Sequence, residues 1–401
     1  MKILYIHQYF ITPNEPGGTR SYWLAQQLIN KGHEVIMLTS SSKYNEPFKT
    51  ITIDGIKVIY IKEDYDQKMN VSRRLKSFLG FMYKSTKLSL RQKNIDLIIS
   101  TSTPLTVGIP ALIMKWFKKV PYIFEVRDLW PEVPIQMGAI NNSYIIKATR
   151  LLEKIIYKNA VHIIALSPGM QEGVIKYVSK SKTSMIPNMA KMDEFWPREK
   201  NYNLINQLNL SPESFKIIHF GSLGVANGAH YIIEAAKSMK HFNDIEFLFV
   251  GGGATEDELK NIVDRYDLTN IKFLGKFPMN EVSEIVNFSD VSIVSFLDLP
   301  ILYTNSPNKF FDSLSAGKPI IVNSAGWTKN IVEDYNCGFY VSPNKPAELI
   351  EKILFLKNNP DIKIKMGKTS RFLAETLYDK TILSGKFVNT VESIYSKIKN
   401  V

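Results

Sequence analysis

The sequence predicts an α/β chain of two Rossmann-like, doubly wound domains facing a central cleft. Three observations predict this. The chain has 401 residues, more than one typical domain holds. Continuous apolar, β-branched runs alternate with helical patterns, as parallel strands covered on both faces require. The series then restarts after a polar stretch flanked and interrupted by Pro187, Pro197 and Pro212. A hydrophobic fraction of 45% is enough to fill two cores.

In the first half, strands are expected at 3–10, 34–39, 56–62, 96–101, 122–127, 161–166 and 183–187. In the second half they are expected at 215–220, 245–250, 271–274, 291–296 and 319–323. The polar stretch 188–211 reads as the linker, which sets domains at 1–195 and 196–378. The segment 379–401 reads as a final helix with Ile382, Phe387, Val388, Val391 and Ile394 roughly on one face. No repeat at a solenoid period is present.

Composition narrows the setting. Cys337 is the only cysteine, so no disulfide forms within the chain, which fits a reducing, cytoplasmic compartment. The opening apolar run is broken by His7 and Gln8 and reads as a strand rather than a signal peptide. No run of about 18 apolar residues predicts a membrane span. The net charge of +12 is uneven: 68–93 holds Lys68, Arg73, Arg74, Lys76, Lys84, Lys87, Arg91 and Lys93 and no acid. Phe78, Leu79, Phe81 and Met82 sit among them. Such a helix can lie on an anionic membrane surface, or pack its apolar face in the core, or do both. A nucleic-acid partner is not expected, because no zinc knuckle, RNA-recognition signature or helix-turn-helix pattern accompanies the charge.

Ligands of open α/β sheets bind beyond the carboxyl ends of strands, and four loops there carry polar chemistry. Pro16-Gly17-Gly18-Thr19-Arg20 precedes a helix; paired glycines let backbone approach a ligand, and a helix start favours an anion such as pyrophosphate. An ordinary strand-to-helix turn would look the same. Arg127-Asp128-Leu129-Trp130-Pro131-Glu132 puts a carboxylate where it can bind sugar hydroxyls or accept a proton, with Trp130 able to stack on a sugar. The competing reading is a structural Arg–Asp pair beside a core tryptophan. Gly221-Ser222-Leu223-Gly224 through Gly228 is glycine-rich, as is Gly251-Gly252-Gly253, with the spacing of neither a dinucleotide fingerprint nor a P-loop. Ser306-Pro307-Asn308-Lys309 through Asp312 opens a helix in which Lys309 can neutralise a diphosphate and Asp312 can accept from ribose hydroxyls. A plain amphipathic surface helix is the alternative.

Other chemistries find little support. Asp64-Tyr65-Asp66 has a metal-binding form but reads as chance in a charged loop. The six histidines are not paired at metal-ligand spacing, and His219 reads as a core residue in a buried strand. Cys337 has no catalytic context, and no Gly-x-Ser-x-Gly elbow marks a hydrolase.

With these loops in order, the chain resembles the retaining glycosyltransferases of family 4, which have the two-domain GT-B architecture. The likeness runs through Gly17-Gly18, Gly32-His33-Glu34-Val35, Arg127 to Glu132, Leu166-Ser167-Pro168-Gly169-Met170, Phe220-Gly221-Ser222, Val250 to Gly253, Leu274-Gly275-Lys276 and 306–319. The Asp-Leu-Trp-Pro and Ser-Pro-x-Lys-x-Phe pieces are similar to a surface-polysaccharide subgroup that includes N-acetyl-L-fucosamine transferase-like enzymes. The resemblance implies a UDP-sugar donor, no metal or other cofactor, and a glycan or undecaprenyl-diphosphate-linked acceptor. It implies that backbone around Lys276 and Phe277 reads the base and that Asp312 takes the place of a ribose-binding glutamate. Gly17, Gly18, Gly221, Ser222 and Lys309 then surround the donor diphosphate, and Arg20, Ser306 and Asn308 join them as donor-binding residues. Arg127 and Asp128 stand near the reacting carbon, Trp130 and Glu132 near the acceptor. The last helix is expected to return to the first domain.

Three departures stand out. Thr304 occupies the place of a family glutamate, Leu223 and Asn227 replace an Arg and a Lys, and Arg127 stands where many relatives carry histidine. Two rivals remain: a sugar-nucleotide 2-epimerase of the same architecture, whose acid/base carboxylates and histidines are not supplied, and a non-catalytic nucleotide-sugar-binding protein, motivated by Thr304 and the missing Arg and Lys.

Overall fold

The computed structural model describes residues 1–15, 17–64, 69 and 71–400. Pro16, Tyr65, Asp66 and Lys68 lie outside the described residues, so neither the Asp-x-Asp form nor the first cation of the basic stretch is placed. The chain divides into two units. One comprises Met1–Thr12, Thr19–Pro187 and Thr381–Val401; the other comprises Pro13–Gly18 and Asn188–Lys380.

The first unit holds β1 (Lys2–Ile6), β2 (Glu34–Ser41), β3 (Phe48–Ile53), β4 (Ile56–Lys62), β5 (Leu97–Thr101), β6 (Tyr122–Val126), β7 (His162–Ala165) and β8 (Thr183–Met185). They form one sheet in the order β3-β4-β2-β1-β5-β6-β7-β8. The β3–β4 pair is antiparallel and the rest of this sheet is parallel. Strands β5, β6 and β7 are buried at every position because helices cover both faces. β3 was not expected. It alternates exposed and half-buried residues and is joined to β4 by Asp54-Gly55, with φ of 47° and 82°, the backbone a two-residue type I′ hairpin demands.

The helix Val71–Arg91 buries Ser77, Phe78, Phe81, Ser85 and Ser89 and leaves Leu75, Leu79 and Tyr83 exposed among its cations. The helix Lys380–Lys399 belongs to this unit and buries Leu383, Phe387, Val388 and Val391. Tyr395 donates to Asp96 at 2.9 Å, and His33 meets Glu392 at 2.9 Å. Ile382, placed on the inner face by periodicity, is instead exposed, and Leu383 takes the inward position.

The second unit holds β9 (Phe215–Ser222), β10 (Ile245–Gly252), β11 (Ile271–Gly275), β12 (Val291–Val294), β13 (Ile320–Val322) and β14 (Gly338–Tyr340). Its all-parallel order is β11-β10-β9-β12-β13-β14, so the winding reverses between β9 and β12. Phe215, Ile217, Phe247 and Phe249 enter one hydrophobic cluster, and Ile218, Phe220, Leu248 and Val250 another. Alternate residues of a strand thus feed the cores on opposite faces.

The stretch 188–211 is not a solvated linker. Asn188 N–H donates to Ser306 Oγ at 3.2 Å, Lys191 N–H donates to Ser315 Oγ at 3.1 Å, and Phe195 is fully buried. These bonds lie within the second unit, and the division falls between Pro187 and Asn188 instead of at 195. Among the described residues no helix is long and apolar enough to cross a membrane.

Candidate functional site

In the second unit the winding reversal puts the ends of β9 and β12 where an open sheet takes its ligand. Two glycine loops shape the β9 side. Gly251 has φ of 129°, and a Cβ there would stand 1.9 Å from the Gly221 oxygen. A Cβ on Gly253 would stand 2.4 Å from the Leu223 carbonyl carbon. The loops meet backbone to backbone, and Gly221 (φ 98°) is exposed.

Onto this floor the helix Asn308–Ser315 brings Lys309. Its Nζ lies 3.1 Å from Asn227 Oδ1 and 3.4 Å from His219 Nε2. Its Cε is 3.7 Å from where a Gly221 Cβ would stand. Neither partner supplies negative charge, since burial and then Lys309 hold His219 well below the usual imidazole range and so neutral. Desolvation pushes Lys309 down to about 7. His219 is therefore more than a core residue; it faces the Lys309 ammonium. The signal was available, because His219 lies on the same strand as Gly221-Ser222. Asn227 supplies the amide oxygen.

One turn further on, Asp312 is 5% exposed, with Lys191 Nζ 3.3 Å from its Oδ1 and 2.8 Å from Glu194 Oε2. Desolvation raises Asp312 to about 6 against the pull of Lys191. Lys191 was missed; only its spacing of three from Glu194 hinted at a partner. Ser306 is buried and accepts from Asn188, and Asn308 opens the helix half-buried. Ser222 ends β9. Lys276 is exposed, with its Cε 2.9 Å from a notional Gly252 Cβ, and Phe277 packs against the buried cluster beneath. Gly17 (φ 133°) and Gly18 lie in the segment that groups with this unit. Thr304 donates to Ile301 O at 2.7 Å.

In the first unit the reversal lies between β1 and β5, and the residues after β1, β5 and β6 meet there. His7 Nδ1 is 2.7 Å from Ser21 Oγ, and its Nε2 is 3.1 Å from Arg127 Nη1. Burial, then Arg127, drive His7 well below its ordinary pKa. A neutral His7 that accepts from Arg127 on Nε2 must carry its proton on Nδ1 and donate it to Ser21. Thr103 donates to Asp128 Oδ2 at 2.7 Å, and burial raises the Asp128 carboxyl. Trp130 is half-buried, edge-on to Phe78 with ring centroids 6.1 Å apart. Glu132 is held by Arg150 at 2.8 Å.

Arg20 is a correction. Its guanidinium is 1% exposed and pairs at 2.9 Å with fully buried Glu125, which also accepts from Thr101 at 2.9 Å. Its remaining donors go to the carbonyls of Ile186 and Pro187. A guanidinium closed on every side holds the first unit together and has nothing left for a diphosphate. The structure thus gathers Lys309 with Gly221, Asp312 with Lys191, and Asp128 with Thr103, and it withdraws Arg20. Among the described residues no cluster of three or more His, Cys, Asp or Glu side chains could hold a metal ion.

Two doubly wound units with polar groups at each reversal point are the architecture of the GT-B glycosyltransferases. Comparison with known proteins agrees: residues 17–189 match the glycosyl transferase 4-like domain, and residues 201–372 match glycosyl transferases group 1. The chain belongs to the GT-B glycosyltransferases and is a sugar-transferring enzyme. It is 24% identical over 333 residues to the probable glycosyltransferase WbjE of Pseudomonas aeruginosa, covering 80% of each chain. Sucrose-phosphate synthase of Thermosynechococcus elongatus has the same fold, with a TM-score of 0.79, 18% identity and 99% of each chain covered. HepE of Anabaena, solved in complex with UDP and glucose, gives 0.73 at 17% identity, covering 98% of this chain and 100% of its own.

Proposed function

We propose that this enzyme is a retaining, metal-independent transferase of family 4. It moves a sugar, an N-acetylated hexosamine or deoxyhexosamine, from a UDP-sugar to a glycan or undecaprenyl-diphosphate-linked acceptor in surface-polysaccharide synthesis. The observation that carries the reading is Lys309, a desolvated cation among neutral partners above a bare glycine floor. A buried charge without a counter-ion is costly, and an incoming anion removes that cost. The UDP and glucose found with HepE suggest a nucleoside diphosphate as that anion.

Lys309 and the backbone N–H groups of the glycine loops then stabilise the departing diphosphate. Asp312 accepts from ribose, with Lys191 keeping its carboxylate ionised. Backbone beside Lys276 and Phe277 reads the base. The acceptor hydroxyl attacks the face the phosphate leaves, and the phosphate takes its proton, so no nucleophilic carboxylate is required. Asp128, fixed by Thr103, orients the acceptor beside Arg127, and half-buried Trp130 stacks on a sugar. The exposed Leu75, Leu79 and Tyr83 on the basic helix Val71–Arg91 suit an enzyme working at the cytoplasmic face of an anionic membrane.

The test is transfer from UDP-N-acetylhexosamines to an undecaprenyl-diphosphate-linked acceptor, followed by mass spectrometry and anomeric NMR, with and without EDTA. Retained configuration, indifference to EDTA, and loss of turnover with unchanged UDP affinity in Asp128→Asn are expected. Inversion, an EDTA requirement, or donor interconversion without acceptor would overturn the reading.

A further inference from the structure

Away from both clusters, a groove of ≈ 740 Å³ runs between the edge strand β8 and the helix Lys380–Lys399, within the first unit. His162 and Thr183, which help to line it, are the first residues of β7 and β8. Arg127 and Asp128 follow the last residue of β6, in the same parallel sheet. The groove therefore starts at the opposite end of the sheet from the reacting groups.

The lining has a distinct chemistry. His162, Lys386 and Lys397 are its ionisable residues, and no carboxylate is present. Most other lining residues carry a hydroxyl or an amide, among them Ser184, Asn389 and Ser393. At one end a second hollow of ≈ 370 Å³ shares Ile394 and Lys397 and adds Val161 and Ile398 as apolar walls. His162 is 4% exposed; its Nε2 lies 2.8 Å from Ser184 Oγ, and its buried Nδ1 has no hydrogen-bond partner. A buried, unpartnered ring nitrogen is an unmet hydrogen bond in a native site.

Gly385 adds an independent observation. It lies inside the helix and lines the groove, with no atom within 4 Å of where its Cβ would be. Glycine destabilises a helix interior, and no packing here demands it. What the missing side chain does is keep the groove open.

We propose that this groove is a second binding site, for an anionic saccharide, distinct from the nucleotide-sugar site. Lys386 and Lys397 meet the acidic group, the hydroxyl and amide side chains exchange hydrogen bonds with sugar hydroxyls, and His162, which lines the groove, senses the occupant. The Val161–Ile394–Ile398 end takes the apolar face of a sugar ring.

The test uses side-chain NMR of the histidines in the full chain, with His162 assigned through His162→Asn. Titrants are glucose 1-phosphate, glucose and inorganic phosphate. Saturable movement of the His162 signals by glucose 1-phosphate is expected, with the other two titrants weaker, and Lys397→Ala weakening it by about tenfold. Gly385→Leu should abolish the shift while leaving the melting temperature at or above wild type and UDP binding unchanged. Retained UDP binding keeps this outcome separate from the proposed donor site. Full binding by Gly385→Leu, no shift of His162, or equal response to phosphate alone or to neutral glucose would each overturn the assignment.

Discussion

If Lys309 meets the donor diphosphate, UDP affinity must fall as pH rises through its lowered pKa. Ligand-free Lys309 loses its proton at about 7. An unfolded lysine keeps its proton to about 10.4, so between those values the unfolded chain binds more protons, and this group makes the free protein more stable as pH rises. Binding runs the other way, because the diphosphate restores the charge and the complex takes up a proton. With UDP fully ionised and His219 neutral throughout, the fraction of protonated Lys309 sets the slope. From pH 7.5 to 9.5 that fraction falls roughly 75-fold, equivalent to about 2.5 kcal/mol of binding. Asp312, at about 6, is already ionised over this range and adds little slope. The assay is calorimetry across pH in buffers of different ionisation enthalpy. Uptake approaching one proton per UDP is expected at the alkaline end for wild type. Lys309→Arg should bind with a flat profile, since a guanidinium does not titrate there. A wild-type profile as flat as the arginine variant's, or binding without proton uptake, would refute the role given to Lys309.

Three further outcomes follow from the geometry. Lys191→Met leaves the Asp312 and Glu194 carboxylates buried without their cation and should cost about 3–5 kcal/mol in urea unfolding at neutral pH; an unchanged midpoint would show that the cluster is not structural. Arg20→Leu strands buried Glu125 and should cost a similar amount, about 3–5 kcal/mol, with UDP affinity of the folded fraction unchanged; selective loss of UDP binding at normal stability would return Arg20 to the donor site. Gly251→Ala drives a methyl into the Gly221 carbonyl and should destabilise by about 1–3 kcal/mol and weaken UDP binding, both measurable by thermal shift; a neutral result would mean that the two loops are not pressed together.

Most of the fold was legible because burial on two faces writes itself into continuous apolar runs. Each expected strand overlaps an observed one, but the ends differ in both directions: β1 stops before His7 and β6 before Arg127, whereas β9 and β10 each run two residues further than expected, to Ser222 and Gly252. β3 was overlooked for the opposite reason: half-exposed, it lacks an apolar run, although Asp54-Gly55 between Ile53 and Ile56 is a strong local hairpin signal. β14 was overlooked because Gly338–Tyr340 opens on a glycine and carries no β-branched, apolar run. The stretch 188–211 misled because polarity was read as solvation, whereas the Asn188 side-chain amide donates to the Ser306 carbonyl and the Lys191 ammonium pairs with Glu194 and Asp312.

Chain order alone was enough for two doubly wound domains, their glycine loops and the side chains at the loop ends, since these depend on patterns a few residues long. Which of those side chains are available for chemistry was decided only on folding. Lys309 meets Asn227 across 82 residues, and Arg20 meets Glu125 across 105. Both cations follow glycine- or proline-marked loops at helix starts and look equivalent in one dimension. Folding closes a buried carboxylate around one and leaves the other with only neutral partners, and a charge's partner depends on which strand end the sheet order places beside it.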